Sequence, residues 1–262
     1  MNNILVSKYQ KLCNILSELK RVVVAYSGGV DSALLAYIAS QVLGEHALAV
    51  TTFSPSLSEE ELNDAKVIAK MLGFQHLLLE SHEFEDPRYL ENTSLRCFWC
   101  KQEKFGLLCE YVKQHQFNHV IDGTNADDRN DHRPGREAAE QLKIRSPLLE
   151  AGISKKEVRA LAGHFAIPNW NKPANSCLST RIPTGIPINQ NNLQKIAAAE
   201  SFIKKFNIDI VRVRCHGELA RIEIAPKYFQ TLLSNRQTIL SEFRALGFQF
   251  ITLDLLGYPI HI

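Results

Sequence analysis

The first half of the chain alternates between short apolar runs and longer stretches with apolar positions every three or four residues. The short runs predict buried strands, and the longer stretches predict amphipathic helices. Four strands are expected, at residues 22–25, 46–53, 75–79 and 119–122. Helical stretches lie before and between them, and a later helix is predicted by the capping box at Ser154–Glu157. Strands that alternate with helices indicate an α/β fold, a parallel sheet with helices on both faces.

The pattern changes near residue 185. The later elements are expected to be a helix at 189–206, strands at 208–214 and 219–224, a helix at 226–246 and a strand at 248–255. The two adjacent strands alternate between apolar and polar residues, which predicts a hairpin. We therefore predict an α/β domain at residues 1–184 and a smaller C-terminal α+β domain at residues 185–262.

Charge and composition narrow the classes of partner. The 262 residues include 30 basic and 28 acidic side chains, a net charge of +2, whereas a protein that coats nucleic acid carries a strong basic excess. No apolar run reaches the roughly 18 residues of a membrane span, and the N-terminal segment lacks the apolar core of a signal peptide. We expect a cytoplasmic protein with neither a nucleic-acid nor a membrane partner. In a reducing compartment, its six cysteines favour metal binding or sulfur chemistry over disulfides.

The segment SGGVDS, residues 27–32, lies between the first predicted strand and the next helix. Glycines allow the backbone to fold around phosphate oxygens, and the start of a helix offers N–H groups with a partial positive charge. The segment has neither the lysine of a Walker A loop nor the GxGxxG pattern. Its two hydroxyls and one carboxylate suit a diphosphate with Mg²⁺.

SGGVDS resembles the PP-loop of the N-type ATP pyrophosphatases, which have an adenine nucleotide α-hydrolase-like fold, cleave ATP between the α and β phosphates and adenylate a substrate. Residues 122–128, DGTNADD, resemble the GTNxDD segment near the nucleotide in the same superfamily. Both would lie at the carboxyl ends of parallel strands, where ligands of open sheets bind. The resemblance implies ATP and Mg²⁺ as cofactors, with Asp31 at the metal. The residues expected to bind ATP are Ser27, Gly28, Gly29, Asp31, Ser32, Lys101, Gly123, Thr124, Asp127 and Asp128.

Three cysteines stand in contexts that suggest chemistry. Cys97 and Cys100 have CxxC spacing near the start of a predicted helix, where thiolates are favoured, and Cys177 lies in a polar loop. A structural zinc needs four ligands, and His164 is only a weak candidate for the fourth. Three thiolates fit an iron–sulfur cluster with one open iron. The alternative is a pair of core cysteines and an unrelated loop thiol.

Over nearly the whole chain, SGGVDS, RCFWCK, GTNADD, CLSTRIP, VRVRCHGELARIEI and LGFQFITLDLLGY resemble the LarE family, ATP-dependent sulfur transferases of nickel-pincer nucleotide biosynthesis. The resemblance implies a pyridinium-dicarboxylate mononucleotide as substrate. ATP adenylates one carboxylate, pyrophosphate leaves, and a sulfur nucleophile displaces AMP to give a thiocarboxylate.

The family has two ways of supplying sulfur. In one, a cysteine that matches Cys177 gives up its own sulfur and becomes dehydroalanine. In the other, three cysteines hold a [4Fe-4S] cluster. Because this chain has Cys97, Cys100 and Cys177, the resemblance favours the cluster, with sulfide or a sulfur-carrying enzyme as the donor.

The same resemblance assigns further residues. Arg212 and Arg214 share one face of a predicted strand, and together with Arg181 they are expected to bind the substrate phosphate, which suits the fork of a guanidinium. Trp99 either packs or stacks on the pyridinium ring through a cation–π contact. The residues expected at the reaction itself are Cys177, Cys97, Cys100, Glu200 and Glu223.

Two other functions stay open at this point. A tRNA thiolase of the same superfamily also has CxxC followed by lysine and phenylalanine, but it predicts a basic RNA surface or an added RNA-binding domain. A non-catalytic ATP-binding sensor would need no set of three thiols and would release no pyrophosphate. For the sulfur transferase we also expect a homo-oligomer.

Overall fold

A computed structural model describes residues 3–130, 134–173 and 176–258. The chain divides into two compact units, Met1–Tyr89 with Leu95–Asn175 and Leu90–Ser94 with Ser176–Ile262. The short stretch Leu90–Ser94 belongs to the second unit because Asn92 Nδ2 donates hydrogen bonds to carbonyl oxygens at residues 183 and 186, over 2.8 and 2.7 Å. The predicted boundary between residues 184 and 185 falls within the second unit, and the roles given to the two domains stay predictions.

The first unit is built on a parallel sheet. Its strands are β1 (Val22–Ala25), β2 (Ala47–Phe53), β3 (His76–Glu80) and β4 (His119–Ile121), in the order β3-β2-β1-β4. β1 is central, pairing with β2 from Val22↔Ala47 and with β4 from Val22↔His119. The chain moves outward from β1 to β3 and then returns to the other side of β1, so a topological switch point lies between β1 and β4. Ligands of open parallel sheets bind at such points.

Helices cover both faces of this sheet. Val22 and Val24 pack into a core with the helices α1, α2 and α8, whereas Val23 packs with α5 on the other face. The alternation along β1 explains why the strand is apolar throughout. The helices of this part of the chain are α1 (Asn3–Leu19), α2 (Val30–Leu43), α3 (Glu59–Leu72), α4 (Pro87–Leu90), α5 (Arg96–Gln114), α6 (Pro134–Gln141), α7 (Pro147–Glu150) and α8 (Lys155–His164).

The second unit contains a three-stranded sheet in the order β5-β6-β7. β5 and β6 form the predicted hairpin, and Gly217 in its turn has a φ of 69°, a backbone conformation that favours glycine. β7 pairs with β6 in parallel. The elements are α9 (Gln190–Lys204), β5 (Val211–His216), β6 (Leu219–Ile224), α10 (Phe229–Ser234), α11 (Arg236–Ala245) and β7 (Phe250–Leu253).

The predicted fold class, α/β with a smaller α+β part, is confirmed, and the differences are local. The polar stretch around residue 134 contains α6, because proline is favoured in the first turn of a helix. The predicted helix at 226–246 begins with a 3₁₀ turn and is divided at Asn235. Cys97 and Cys100 lie within the first turns of α5 rather than ahead of it. No helix among the described residues is long and apolar enough to cross a bilayer.

Candidate active site

The turn after β1 has a backbone that requires glycine at residue 28. Gly28 has a φ of 77°, and a Cβ there would lie 3.1 Å from the Cβ of Ala65 on α3. The Gly28 carbonyl accepts a hydrogen bond from Asn169 Nδ2 over 2.7 Å. Asn169 Oδ1, the oxygen of the same side-chain amide, is buried and has no hydrogen-bond partner among the described residues. The turn is therefore held against two distant segments of the first unit.

Two hydroxyls close the turn at the start of α2. Ser32 Oγ donates to the Gly29 carbonyl over 3.1 Å and accepts from the Ser27 amide over 3.2 Å. Ser27 Oγ lies 3.1 Å from Ser32 Oγ. Among the residues described, no side chain caps α2 at Gly29. The first N–H groups of the helix are consequently left for a bound anion.

The loop after β4 lies directly against this helix start. A Cβ at Gly123 would be 2.9 Å from the Ser32 amide nitrogen, so glycine is required for the approach. Thr124 Oγ1 donates to Asp122 over 2.7 Å, and Asn125 Nδ2 donates to Asp31 Oδ1 over 3.3 Å. The structure thus brings together SGGVDS and GTNADD, as expected from the order of the strands.

The two acidic residues that end the GTNADD segment are used within the fold. Asp127 Oδ2 accepts from the Lys155 amide over 2.9 Å, and Asp128 Oδ2 accepts from the Asn125 amide over 3.1 Å. Their contacts organise the loop around Asn125, which in turn reaches Asp31. The predicted contact of Asp127 and Asp128 with ATP stays a prediction.

Lys155 is a site residue that sequence reasoning missed. Its ammonium group binds the carboxylate of Asp31, the residue expected to hold Mg²⁺. The sequence offers one signal, the capping box at Ser154–Glu157, which places Lys155 in the first turn of α8. The Asp31 carboxylate, two hydroxyls and an uncapped helix start are groups that fit a phosphate with its Mg²⁺.

A buried carboxylate lies beyond the carboxyl ends of β2 and β3. Glu83 is fully buried and accepts hydrogen bonds from Ser54 over 2.6 Å, Ser56 over 3.1 Å and Ser81 over 2.7 Å. Lys104 Nζ on α5 lies 3.0 Å from Glu83 Oε1. Burial alone would raise the pKa of Glu83, but the Lys104 ammonium and the hydroxyls outweigh it and hold the pKa below its usual value. We call these five residues the Glu83 cluster.

The Glu83 cluster fixes the helix that carries the CxxC pair. Cys97, Cys100, Lys101 and Lys104 recur at intervals of three and four residues, so they share one face of α5. Cys97 is exposed and Cys100 half-buried, and neither forms a disulfide. Lys101 borders a cavity of about 190 Å³ together with Asp122 and Thr124, close to the GTNADD loop.

Trp99 is already in contact with a cation. The Arg88 guanidinium carbon lies 3.8 Å from the centre of its ring, and Phe98 meets the ring edge-on at 4.8 Å. The face of the indole therefore accepts a planar cation in this structure. Stacking of a pyridinium ring on Trp99 stays a prediction, and on the face that Arg88 covers it would require Arg88 to leave.

In the second unit, Arg181 connects the Cys177 segment to α9. Arg181 is 1% exposed, and its guanidinium donates to Glu200 over 2.9 and 3.2 Å and to the Cys177 carbonyl over 3.0 Å. Glu200 also accepts from the Val213 amide over 3.0 Å. These contacts fasten the backbone beside the Cys177 thiol to both α9 and β5.

Arg214, on β5, makes a similar connection to the Cys177 segment. Its guanidinium donates two hydrogen bonds of 3.0 Å to the Glu223 carboxylate and one of 2.7 Å to the Thr180 carbonyl. Arg212 is buried, with its guanidinium 5.2 Å from the centre of the Tyr258 ring. Both predicted glutamates are thus linked through an arginine to the segment that carries Cys177. Their predicted roles are not tested by these contacts.

The three cysteines predicted to bind a cluster are divided between the two units. Cys97 and Cys100 belong to the first and Cys177 to the second. Within residues 3–130, 134–173 and 176–258, no group of three or more His, Cys, Asp or Glu side chains is arranged to hold a metal ion. The donor chemistry of three thiols suits a cluster, which stays a prediction.

The Glu83 cluster predicts a pH-dependent loss of stability. Glu83→Gln keeps the size of the side chain but removes the buried negative charge 3.0 Å from Lys104 Nζ, so the free energy of unfolding should fall by about 3 kcal/mol at pH 7. Since the folded pKa of Glu83 is depressed, its contribution is full above the unfolded value of about 4.3 and is lost as the pH falls through the folded value. In urea titrations, the gap between wild type and variant should therefore narrow below about pH 4.

The exposed neighbour Glu85 provides the control, because Glu85→Gln should change stability by less than about 0.5 kcal/mol. A gap between wild type and Glu83→Gln that stays constant from pH 7 to pH 3 would show that the charge of Glu83 does not stabilise the fold.

Comparison with known proteins agrees with the expected membership of the PP-loop superfamily. A family model described as NAD synthase matches residues 7–86, which include the turn after β1. A tRNA-specific 2-thiouridylase of Rickettsia rickettsii is 27% identical over 200 residues, which cover 62% of this chain and 54% of that protein. This second likeness is distant and partial, and it does not favour a tRNA thiolase.

Some relatives match almost from end to end. An uncharacterized protein of Synechocystis is 42% identical over 254 residues, 96% of this chain and 95% of that protein. The pyridinium-3,5-bisthiocarboxylic acid mononucleotide synthase of Lactiplantibacillus plantarum is 33% identical over 255 residues, 97% of this chain and 92% of the synthase. The chain therefore belongs to the LarE family, enzymes of the PP-loop ATP pyrophosphatase superfamily that catalyse sulfur insertion.

Proposed function

We propose that the protein is an ATP-dependent sulfur transferase that acts on pyridinium-3,5-biscarboxylic acid mononucleotide. It adenylates one carboxylate and then replaces a carboxylate oxygen with sulfur, as a step towards the nickel-pincer cofactor. The observation that carries this proposal is the full-length likeness to a synthase whose name states a bisthiocarboxylic acid product. A nucleotide substrate and a sulfur donor are therefore the proposed partners.

The first unit would carry out the adenylation. The uncapped start of α2 and the glycine turn bind the pyrophosphate part of ATP through N–H groups. Asp31 would hold Mg²⁺, which neutralises phosphate charge when bound. The substrate carboxylate oxygen attacks the α phosphorus, and the electron pair of the breaking P–O bond leaves with pyrophosphate. Asn125 keeps Asp31 oriented through its hydrogen bond.

The second unit would bind the substrate phosphate and present Cys177. Arg214 uses three N–H groups in its bonds to Glu223 and Thr180, and the remaining two of a guanidinium suit a phosphate. Arg212 adds a second positive charge on the same strand. The contacts of Arg181 support a different role from the phosphate binding predicted for it. It would position Cys177 by holding the carbonyl of that residue against Glu200.

Sulfur would reach the adenylated carboxylate through Cys177. In the sacrificial alternative, the Cys177 sulfur attacks the acyl carbon and AMP leaves. Loss of the Cα proton then forms the Cα=Cβ bond of dehydroalanine and breaks the Cβ–S bond, so that the sulfur and its electron pair stay with the substrate as a thiocarboxylate. A [4Fe-4S] cluster held by Cys97, Cys100 and Cys177 would instead supply a loose sulfide. The CxxC pair supports the cluster, with sulfide or a sulfur-carrying enzyme as donor. The homo-oligomer and the cytoplasmic location expected from the sequence stay predictions.

The adenylation step predicts which bond of ATP is cleaved. With Mg²⁺, ATP and the dicarboxylate substrate, the wild type should release AMP and pyrophosphate, measured by ion-exchange chromatography of the nucleotides. Asp31→Asn should lower that rate at least about a hundredfold, because it removes the carboxylate charge proposed to hold Mg²⁺. Asp64→Asn, an exposed carboxylate of α3, is the control and should retain the rate. Release of ADP and phosphate by the wild type would refute the proposal.

The source of the sulfur can be read from single-cysteine variants purified without oxygen. If a cluster is used, Cys97→Ala should lose iron, sulfide and sulfur transfer together, while Cys109→Ala, a half-buried thiol of α5, should lose none of them. Iron and sulfide analysis and mass spectrometry of the protein make the measurement. A Cys97→Ala variant that completes one turnover and leaves dehydroalanine at Cys177 would establish the sacrificial route.

A further inference from the structure

A distant segment of the chain supplies an ammonium group to the turn after β1. Lys155 is 124 residues from Asp31 in sequence, yet its Nζ binds the Asp31 carboxylate. The segment SGGVDS has no lysine of its own, whereas a Walker A loop carries one for the β and γ phosphates. Lys155 is therefore a candidate for the cation that the turn lacks.

The backbone of Lys155 is fixed while its side chain remains free to turn. Ser154 and Glu157 form a capping box at the start of α8, and Lys8 anchors Glu157 over 2.8 Å. The Lys155 amide donates to Asp127 in the GTNADD loop over 2.9 Å. The Lys155 side chain is 31% exposed and has a flexible four-carbon stem. Its ammonium group can move without disturbing α8.

Binding of magnesium and ATP would change the partner of this ammonium group. Asp31 would coordinate Mg²⁺, and a divalent cation repels a second cation on the same carboxylate. ATP at the same time brings phosphate oxygens to the start of α2, next to Asp31. An ammonium group that loses its carboxylate there gains phosphate oxygens as acceptors, so its charge stays compensated.

We propose that Lys155 neutralises Asp31 in the free protein and binds the β or γ phosphate oxygens of ATP in the complex. In the reaction it stabilises the negative charge that pyrophosphate gains when the P–O bond to the α phosphorus breaks. Lys155 donates hydrogen bonds only, and no proton or covalent bond is transferred. This inference rests on the proposed function, because it requires ATP at the turn after β1.

The test compares ligands that do and do not contain the β and γ phosphates. Isothermal titration calorimetry with Mg²⁺ present would measure the affinities of ATP, inorganic pyrophosphate and AMP. Lys155→Met should weaken ATP and pyrophosphate about ten- to a hundredfold, the loss of one charge-assisted hydrogen bond, and leave AMP unchanged. Lys155→Arg should recover part of the loss. Lys156→Met removes the exposed neighbouring lysine and should bind all three ligands like the wild type.

Other results would overturn the inference. Equal affinities for ATP in the wild type and Lys155→Met, or equal losses for ATP and AMP, would mean that the pair with Asp31 is structural only. Circular dichroism checks the fold of each variant, and Lys155→Gln repeats the test if the methionine variant unfolds. If the wild type binds none of the three ligands, both the proposed function and this inference fail, whereas a failure confined to the Lys155 comparison leaves the proposed function standing.

Discussion

Parallel pairing of β1 with β2 on one side and β4 on the other is the constraint on which the first unit depends. It brings the segments after β1 and β4 to the same edge, so closely that a Cβ at Gly123 would be 2.9 Å from the Ser32 nitrogen. Parallel pairing of β2 with β3 likewise brings the ends of those two strands together, where the Glu83 cluster forms. The backbone proposed to bind phosphate, the carboxylate proposed to hold Mg²⁺ and the CxxC helix are therefore positioned by one sheet.

Paired charges serve as positioning devices in both units. Asp31 is paired with Lys155, Glu83 with Lys104, and Glu200 with Arg181. A buried ion pair adds little net stability relative to apolar packing, because both charges lose their hydration, but removing one partner is costly. In each pair the cation lies on a segment other than that of the carboxylate. The pairs therefore link segments that are separate in sequence.

The local parts of this arrangement were predictable from the sequence. Apolar runs predict β1 to β4, and the glycines and hydroxyls of SGGVDS predict an anion site at the following helix. Contacts between residues far apart in sequence were not predictable, because the residues around each partner carry no signal of the other. Lys155 reads as part of a helix cap, and Glu83 reads as one of several acidic residues in a polar stretch. Their significance follows from the register of the sheet and the packing of α5 and α8, which a single sequence does not specify.

The proposed reaction converts a carboxylate into a thiocarboxylate at the expense of ATP. The most direct measurement is mass spectrometry of the small-molecule product after incubation with pyridinium-3,5-biscarboxylic acid mononucleotide, Mg²⁺ and ATP, with and without a ³⁴S-labelled sulfide donor. The account predicts a product with one oxygen replaced by sulfur, formed only when ATP is present. The proposed reaction would be contradicted if ATP were consumed to AMP but the recovered substrate contained no sulfur, while the protein still retained its Cys177 sulfur.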